Sequence, residues 1–84
     1  MSAEDNRVEV RAVMSGVFYR RPSPEEPAYV EKGDQVKKKQ VLALLETMKV
    51  FQKVKSPVAG TILEIVAENE TPLKDGDLMF VIGV

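Results

Sequence analysis

An all-β domain made of two similar halves is the fold this sequence predicts, and three observations lead there. Short runs of branched and apolar residues recur along the 84 residues, turn signals separate them, and the second half repeats the first. The repeat is the strongest of the three. A shift of 44 places Met14-Ser15-Gly16-Val17-Phe18-Tyr19 on Val58-Ala59-Gly60-Thr61-Ile62-Leu63. Beyond a proline-rich stretch the shift becomes 37. Val30 then falls on Ala67, Val36 on Leu73, and Val41-Leu42-Ala43-Leu44-Leu45 on Leu78-Met79-Phe80-Val81-Ile82. Two halves of one pattern imply one structure used twice. The change of shift leaves seven extra residues in the first half, between Tyr19 and Val30.

Taken in order, residues 1–7 are polar and charged and read as a flexible terminus, with one domain over 8–84. Val8, Val10 and Ala12 or Val13 alternate with polar residues, as on a half-buried strand. Tyr19 to Pro27 hold three prolines. Proline lacks a backbone donor and fixes φ, so an inserted loop is expected at about 20–28. Gly33-Asp34 marks a turn, and Ser56-Pro57 with Ala59-Gly60 marks another break. Thr61 to Val66 are rich in branched residues, as strands are. Asp75-Gly76 is a turn dipeptide, and Leu78 to Val84 form a last strand.

Gln40 to Lys55 conflict with this picture. Val41, Leu44, Leu45, Met48, Phe51 and Val54 or Lys55 follow helical spacing, uninterrupted by Gly, Pro, Asn or Asp. The repeat argues the other way, because Val41–Leu45 lands on a segment that reads as a strand. Under that reading Val41–Glu46 and Val50–Lys55 are two strands joined at Thr47-Met48-Lys49. Such a tight hairpin needs positive φ at residues other than Asn or Gly. Strain kept without the easy residues points to side chains needed at the tip.

Composition excludes several chemistries. Without cysteine or histidine there is no disulfide, no thiolate or imidazole metal site, and no Ser-His or Cys-His nucleophile pair. Carboxylate chemistry stays open. Twelve basic and thirteen acidic residues leave a net charge of -1, which argues against a nucleic-acid binder. Val41 to Leu45, an apolar run as long as any in the chain, is too short to span a bilayer, and residues 1–7 hold no signal-peptide core. A cytoplasmic protein with neither nucleic-acid nor membrane partners is expected.

From Ala12 to Gly83 the chain resembles a biotin carboxyl carrier domain of the acetyl-CoA carboxylase type. The resemblance rests on Met14-Ser15-Gly16-Val17-Phe18-Tyr19-Arg20-Arg21-Pro22-Ser23-Pro24 and Val30-Glu31-Lys32-Gly33-Asp34-Gln35-Val36-Lys37-Lys38. Leu45-Glu46-Thr47-Met48-Lys49 and Ser56-Pro57-Val58-Ala59-Gly60 complete it. It implies a flattened antiparallel β-barrel or sandwich of two four-stranded sheets with quasi-twofold symmetry. The attachment hairpin and the chain termini would lie at opposite ends. It implies covalent biotin on Lys49, flanked by Glu46, Thr47, Met48 and Val50, and no catalytic residue or metal. The proline loop matches the protrusion called the thumb. Thr47 stands where the family usually has alanine, Val50 where it has methionine, Lys39-Gln40 where Gly-Asp or Gly-Gln is common, and Val13 where proline is frequent.

A lysine amine is mostly protonated at neutral pH and a poor nucleophile. The resemblance therefore implies that biotin protein ligase supplies the activated biotin. Biotin carboxylase and a carboxyltransferase would follow as partners, with the chain a non-catalytic carrier between them, for acetyl-CoA carboxylation in fatty acid synthesis. Three other readings stand beside it: a lipoyl carrier domain of a 2-oxoacid dehydrogenase or glycine-cleavage system, favoured by Thr47 and opposed by Met48; an unmodified interaction module; and a short helical scaffold over residues 40–55.

Overall fold

Alternating burial along short strands sets the architecture. The computed structural model describes residues 6–84, and these form eight strands and no α-helix. The strands are β1 (Arg7–Arg11), β2 (Gly16–Tyr19), β3 (Gln35–Val36), β4 (Val41–Thr47), β5 (Val50–Lys55), β6 (Gly60–Ile65), β7 (Thr71–Leu73) and β8 (Leu78–Gly83). They pair antiparallel in two four-stranded sheets, ordered β1-β8-β6-β3 and β5-β4-β2-β7. No ladder joins the two sheets among the described residues, so of the flattened barrel or sandwich expected from the sequence it is the sandwich that forms. Residues 1–5 of the terminal stretch expected over 1–7 lie outside the described residues, and Arg7 already pairs with Gly83. No helix among the described residues is long and apolar enough to cross a membrane.

The core lies between the sheets. Phe18 of β2 and Phe80 of β8 are fully buried, with ring centroids 5.8 Å apart in a tilted arrangement that aromatic quadrupoles favour. Leu42, Ala43 and Leu45 of β4 join them, with Ile62 of β6 and Met79 and Ile82 of β8. The two central strands carry more than this inner face. Leu44 of β4 and Val81 of β8 are also buried, although both stand outside the central cluster. A strand covered on both sides loses its alternation and reads as a continuous apolar run. That is why Gln40–Lys55 mimics a helix in sequence while folding as the β4–β5 hairpin.

The repeat survives in the backbone down to single bonds. Gly33 and Glu70, 37 residues apart, both have positive φ (94° and 62°), as do Lys39 and Gly76 (73° and 95°), again 37 apart. The Gly33 amide donates to Ile62 O, and the Glu70 amide to the equivalent Phe18 O. The Lys39 amide donates to Ser56 O at 2.8 Å, and the Gly76 amide to Ala12 O at 2.7 Å. β4 therefore corresponds to β8, and β5 to β1. The hairpin that joins β4 to β5 has as its counterpart the unjoined ends of β8 and β1, where the Val84 amide donates to Asn6 O.

This symmetry puts the two at opposite poles. β1 runs from Arg7 to Arg11, and the chain then reaches Gly16 beside Glu46 and Thr47 at the hairpin base. Four residue-to-residue steps of extended chain take Arg7 to Arg11, a span of roughly 13 Å.

Candidate functional site

Thr47 and Val50 form the last pair of the β4–β5 ladder, with Met48 and Lys49 as a two-residue loop. Their φ angles, 47° and 69°, are both positive. That is the signature of a type I′ turn, the one whose twist matches the strands it joins. Left-handed backbone costs an L-residue with a Cβ roughly 1–2 kcal/mol, and neither residue is the Asn or Gly that relieves it. Met48 is 96% exposed, so no burial of its side chain repays that cost. Lys49 and Val50 are exposed as well, and Lys49 forms no ion pair among the described residues. The turn thus holds up an unpaired amine at the pole of the domain.

The base of the hairpin is held closely. A Cβ on Gly16 would lie 2.8 Å from Glu46 O and 2.8 Å from Thr47 Cγ2. Only glycine lets β2 approach there. Glu46 is half-buried and accepts a hydrogen bond of 3.0 Å from the Tyr19 hydroxyl. This bond pushes the Tyr19 hydroxyl above its ordinary titration range, because ionisation would abolish the donor; partial burial and the charges of Glu46 and Glu70 act in the same direction. Phe51, opposite Glu46 in the ladder, stacks obliquely on Tyr19 with centroids 5.7 Å apart.

Tyr19 also starts the proline loop. The Tyr29 amide donates to Arg20 O at 2.9 Å, which pinches the neck of the loop. Arg20 braces it further: its amide donates to Asn69 Oδ1, and its guanidinium to Val30 O and Glu31 Oε1. Between this loop and the hairpin lies a cleft of about 300 Å³, walled by Tyr19, Pro22, Pro24, Glu46 and Phe51. The five residues singled out in the sequence, Glu46 to Val50, are therefore contiguous in space but differ in kind. Met48, Lys49 and Val50 project at the tip, while Glu46 and Thr47 belong to its base. Tyr19 and Phe51 were not among them. An aromatic pair at outward strand positions beside the expected hairpin was the available signal.

A family model described as biotin-requiring enzyme matches residues 8–82. The chain belongs to this family. Biotin carboxyl carrier proteins of acetyl-CoA carboxylase are among its relatives. The one from Glycine max, a chloroplast protein, is 41% identical over 81 residues, which are 96% of this chain and 31% of that protein. Those from Chlamydia muridarum and Pseudomonas aeruginosa are each 40% identical, over 92% and 87% of this chain. The chain spans 49% and 47% of their lengths, so these matches concern one part of longer proteins. Among solved structures, a single-chain, multi-domain long-chain acyl-CoA carboxylase superposes with a TM-score of 0.80 at 17% identity, over 99% of this chain and 8% of that one. The Kluyveromyces lactis urea carboxylase superposes with a TM-score of 0.77 at 22% identity, over 98% of this chain and 7% of that one. At those identities the superpositions establish the fold alone.

Proposed function

We propose that this domain is the biotinyl carrier of an acetyl-CoA carboxylase, with Lys49 as the attachment residue. The observation that carries the reading is the strained, exposed turn that presents the Lys49 amine at one pole of a biotin-requiring domain. The residues fit the group. Biotin has a carboxyl group that condenses with an amine to an amide, and the amine here stands clear of the sheet with no carboxylate partner among the described residues. Once bound, biotin accepts and gives up a carboxyl group, which lets it pass that group from a biotin carboxylase to a carboxyltransferase.

The chain's own residues position and extend. Met48 and Lys49 hold the attachment point beyond the last strand pair, so that partner active sites can enclose it. Gly16, Tyr19 and Glu46 fix the base of the hairpin, and the tethered group is delivered at high effective concentration. Lys49 Nζ loses its positive charge on becoming an amide nitrogen. Activation of the biotin carboxyl group belongs to biotin protein ligase, because a free carboxylate is a poor acyl donor and a protonated lysine a poor nucleophile.

The test is the intact mass of the protein after incubation with biotin protein ligase, ATP and biotin, beside Lys49→Ala. One added biotinyl group in the wild type and none in the variant are expected. Addition to the variant would displace the site. Uptake of lipoate from a lipoate ligase, with no uptake of biotin, would refute the biotin reading.

A further inference from the structure

The quasi-twofold symmetry presents the β3–β4 corner a second time at the β7–β8 turn, and charge is what tells the two copies apart. The β3–β4 turn carries Lys37, Lys38 and Lys39. It is tied to the end of β5 by the Lys39 amide to Ser56 O and the Ser56 amide to Gln40 O. Val41 pairs with Lys55 at this same end of the ladder. Lys53 and Lys55 lie on one face of β5 by strand alternation, the face that bears Phe51 further along. All five lysines are exposed, and among the described residues none forms a salt bridge.

The symmetry-related corner has the same backbone and the opposite character. Lys37-Lys38-Lys39-Gln40 corresponds to Lys74-Asp75-Gly76-Asp77, and Lys53 and Lys55 to Glu9 and Arg11. The first corner has five positive charges and no acidic residue. The second has Lys74 and Arg11 against Asp75, Asp77 and Glu9, and there Arg11 pairs with Glu9 at 2.8 Å. The fold needs no positive charge at the first corner, because the same turn closes at the second with acidic side chains. Lysine at position 39 is in fact unfavourable to the backbone, whose φ is 73° where the second copy has glycine. Lysines on a free edge strand also discourage pairing between copies. That accounts for Lys53 and Lys55 but leaves the three on the turn.

We propose that Lys37, Lys38, Lys39, Lys53 and Lys55 form a docking surface for an acidic protein surface beside the active site of a partner enzyme that acts on the Lys49 arm. The proposal rests on the carrier reading. Its geometry suits that role. β4 separates this corner from the tip by seven residues, roughly 20 Å of extended chain. The body can be held there while the tip stays free to enter a site. Clustered charges act chiefly on encounter and orientation, and salt weakens them.

The test uses the biotinylated full chain as substrate of a biotin carboxylase from the same source, at low and raised salt. The triple variant Lys38→Glu, Lys53→Glu, Lys55→Glu leaves the strained turn residue and the tip untouched. Intact mass and a thermal melt establish that both proteins are modified and folded. A rise of tenfold or more in KM at low salt, with kcat unchanged and a flattened salt dependence, is expected of the variant. In the wild type alone, KM must rise with salt. A modified variant with wild-type KM and salt dependence overturns the docking surface. So does a corner that binds vesicles of anionic lipid, with binding lost in the variant and KM unmoved. A wild-type chain that takes up no biotin overturns the carrier reading, and the docking surface with it.

Discussion

Lys49→Gly should make the domain more stable while abolishing its modification. Lys49 sits at φ 69°, and a side chain there costs roughly 1–2 kcal/mol that glycine does not incur. Glycine gives back about 0.5–1 kcal/mol through the greater freedom of its unfolded chain. The side chain of Lys49 is exposed and forms no salt bridge among the described residues, so little else is lost. The net gain is about 0.5–1 kcal/mol, which for a domain of this size raises the melting midpoint by about 2–8 °C. Lys49→Ala keeps the Cβ, and with it the strain, and should stay within about 0.5 kcal/mol of the wild type. The assay is thermal unfolding of the three unmodified proteins followed by far-UV circular dichroism, with the ligase reaction and intact mass run in parallel. A midpoint for Lys49→Gly equal to or below that of Lys49→Ala would refute the claim that the turn is strained. With it would go the inference that strain is kept for the sake of the amine.

Two further outcomes follow from the base of the hairpin. Gly16→Ala places a methyl group 2.8 Å from both Glu46 O and Thr47 Cγ2, so β2 and β4 must separate; a loss of about 1–3 kcal/mol in chemical denaturation is expected, with slower biotinylation because the tip is displaced. Tyr19→Phe removes the donor to Glu46. Its destabilisation should be present below pH ~10, the ordinary tyrosine range, and should fade as pH rises through the higher titration point of the folded protein, where the wild-type hydroxyl itself ionises. Melting midpoints of the two proteins that stay equally far apart at all pH values would rule out a role for the hydroxyl proton.

Much of the fold was legible because the chain writes it twice. Val41–Leu45 on Leu78–Ile82 identified β4 through β8, where periodicity alone pointed to a helix. The failure of periodicity has a physical cause: Leu42, Ala43 and Leu45 all enter the core, beside an irregularity of the ladder between Val41 and Ala43, and Leu44 is buried outside it, so no alternation remains to be read. The hairpin was legible for a related reason, as two strands joined at Thr47-Met48-Lys49; the structure adds Thr47 to β4, paired with Val50, and leaves two residues to turn. The Tyr19–Glu46 bond and the Phe51 stack were not. They join residues 27 and 32 positions apart across two strands, and only the register fixes which outward side chains meet.

The unjoined ends of β8 and β1 have a mechanical consequence. Asn6 and Val84 are neighbours at one end of an antiparallel ladder, so a pull on both loads its hydrogen bonds one after another. Strain entering there peels β1 from β8, beginning with the Val84–Asn6 bond. The β4–β5 ladder lies in the other sheet, closed by its own turn. Tugging at the ends frays the domain from its far pole and leaves the Lys49 turn until last.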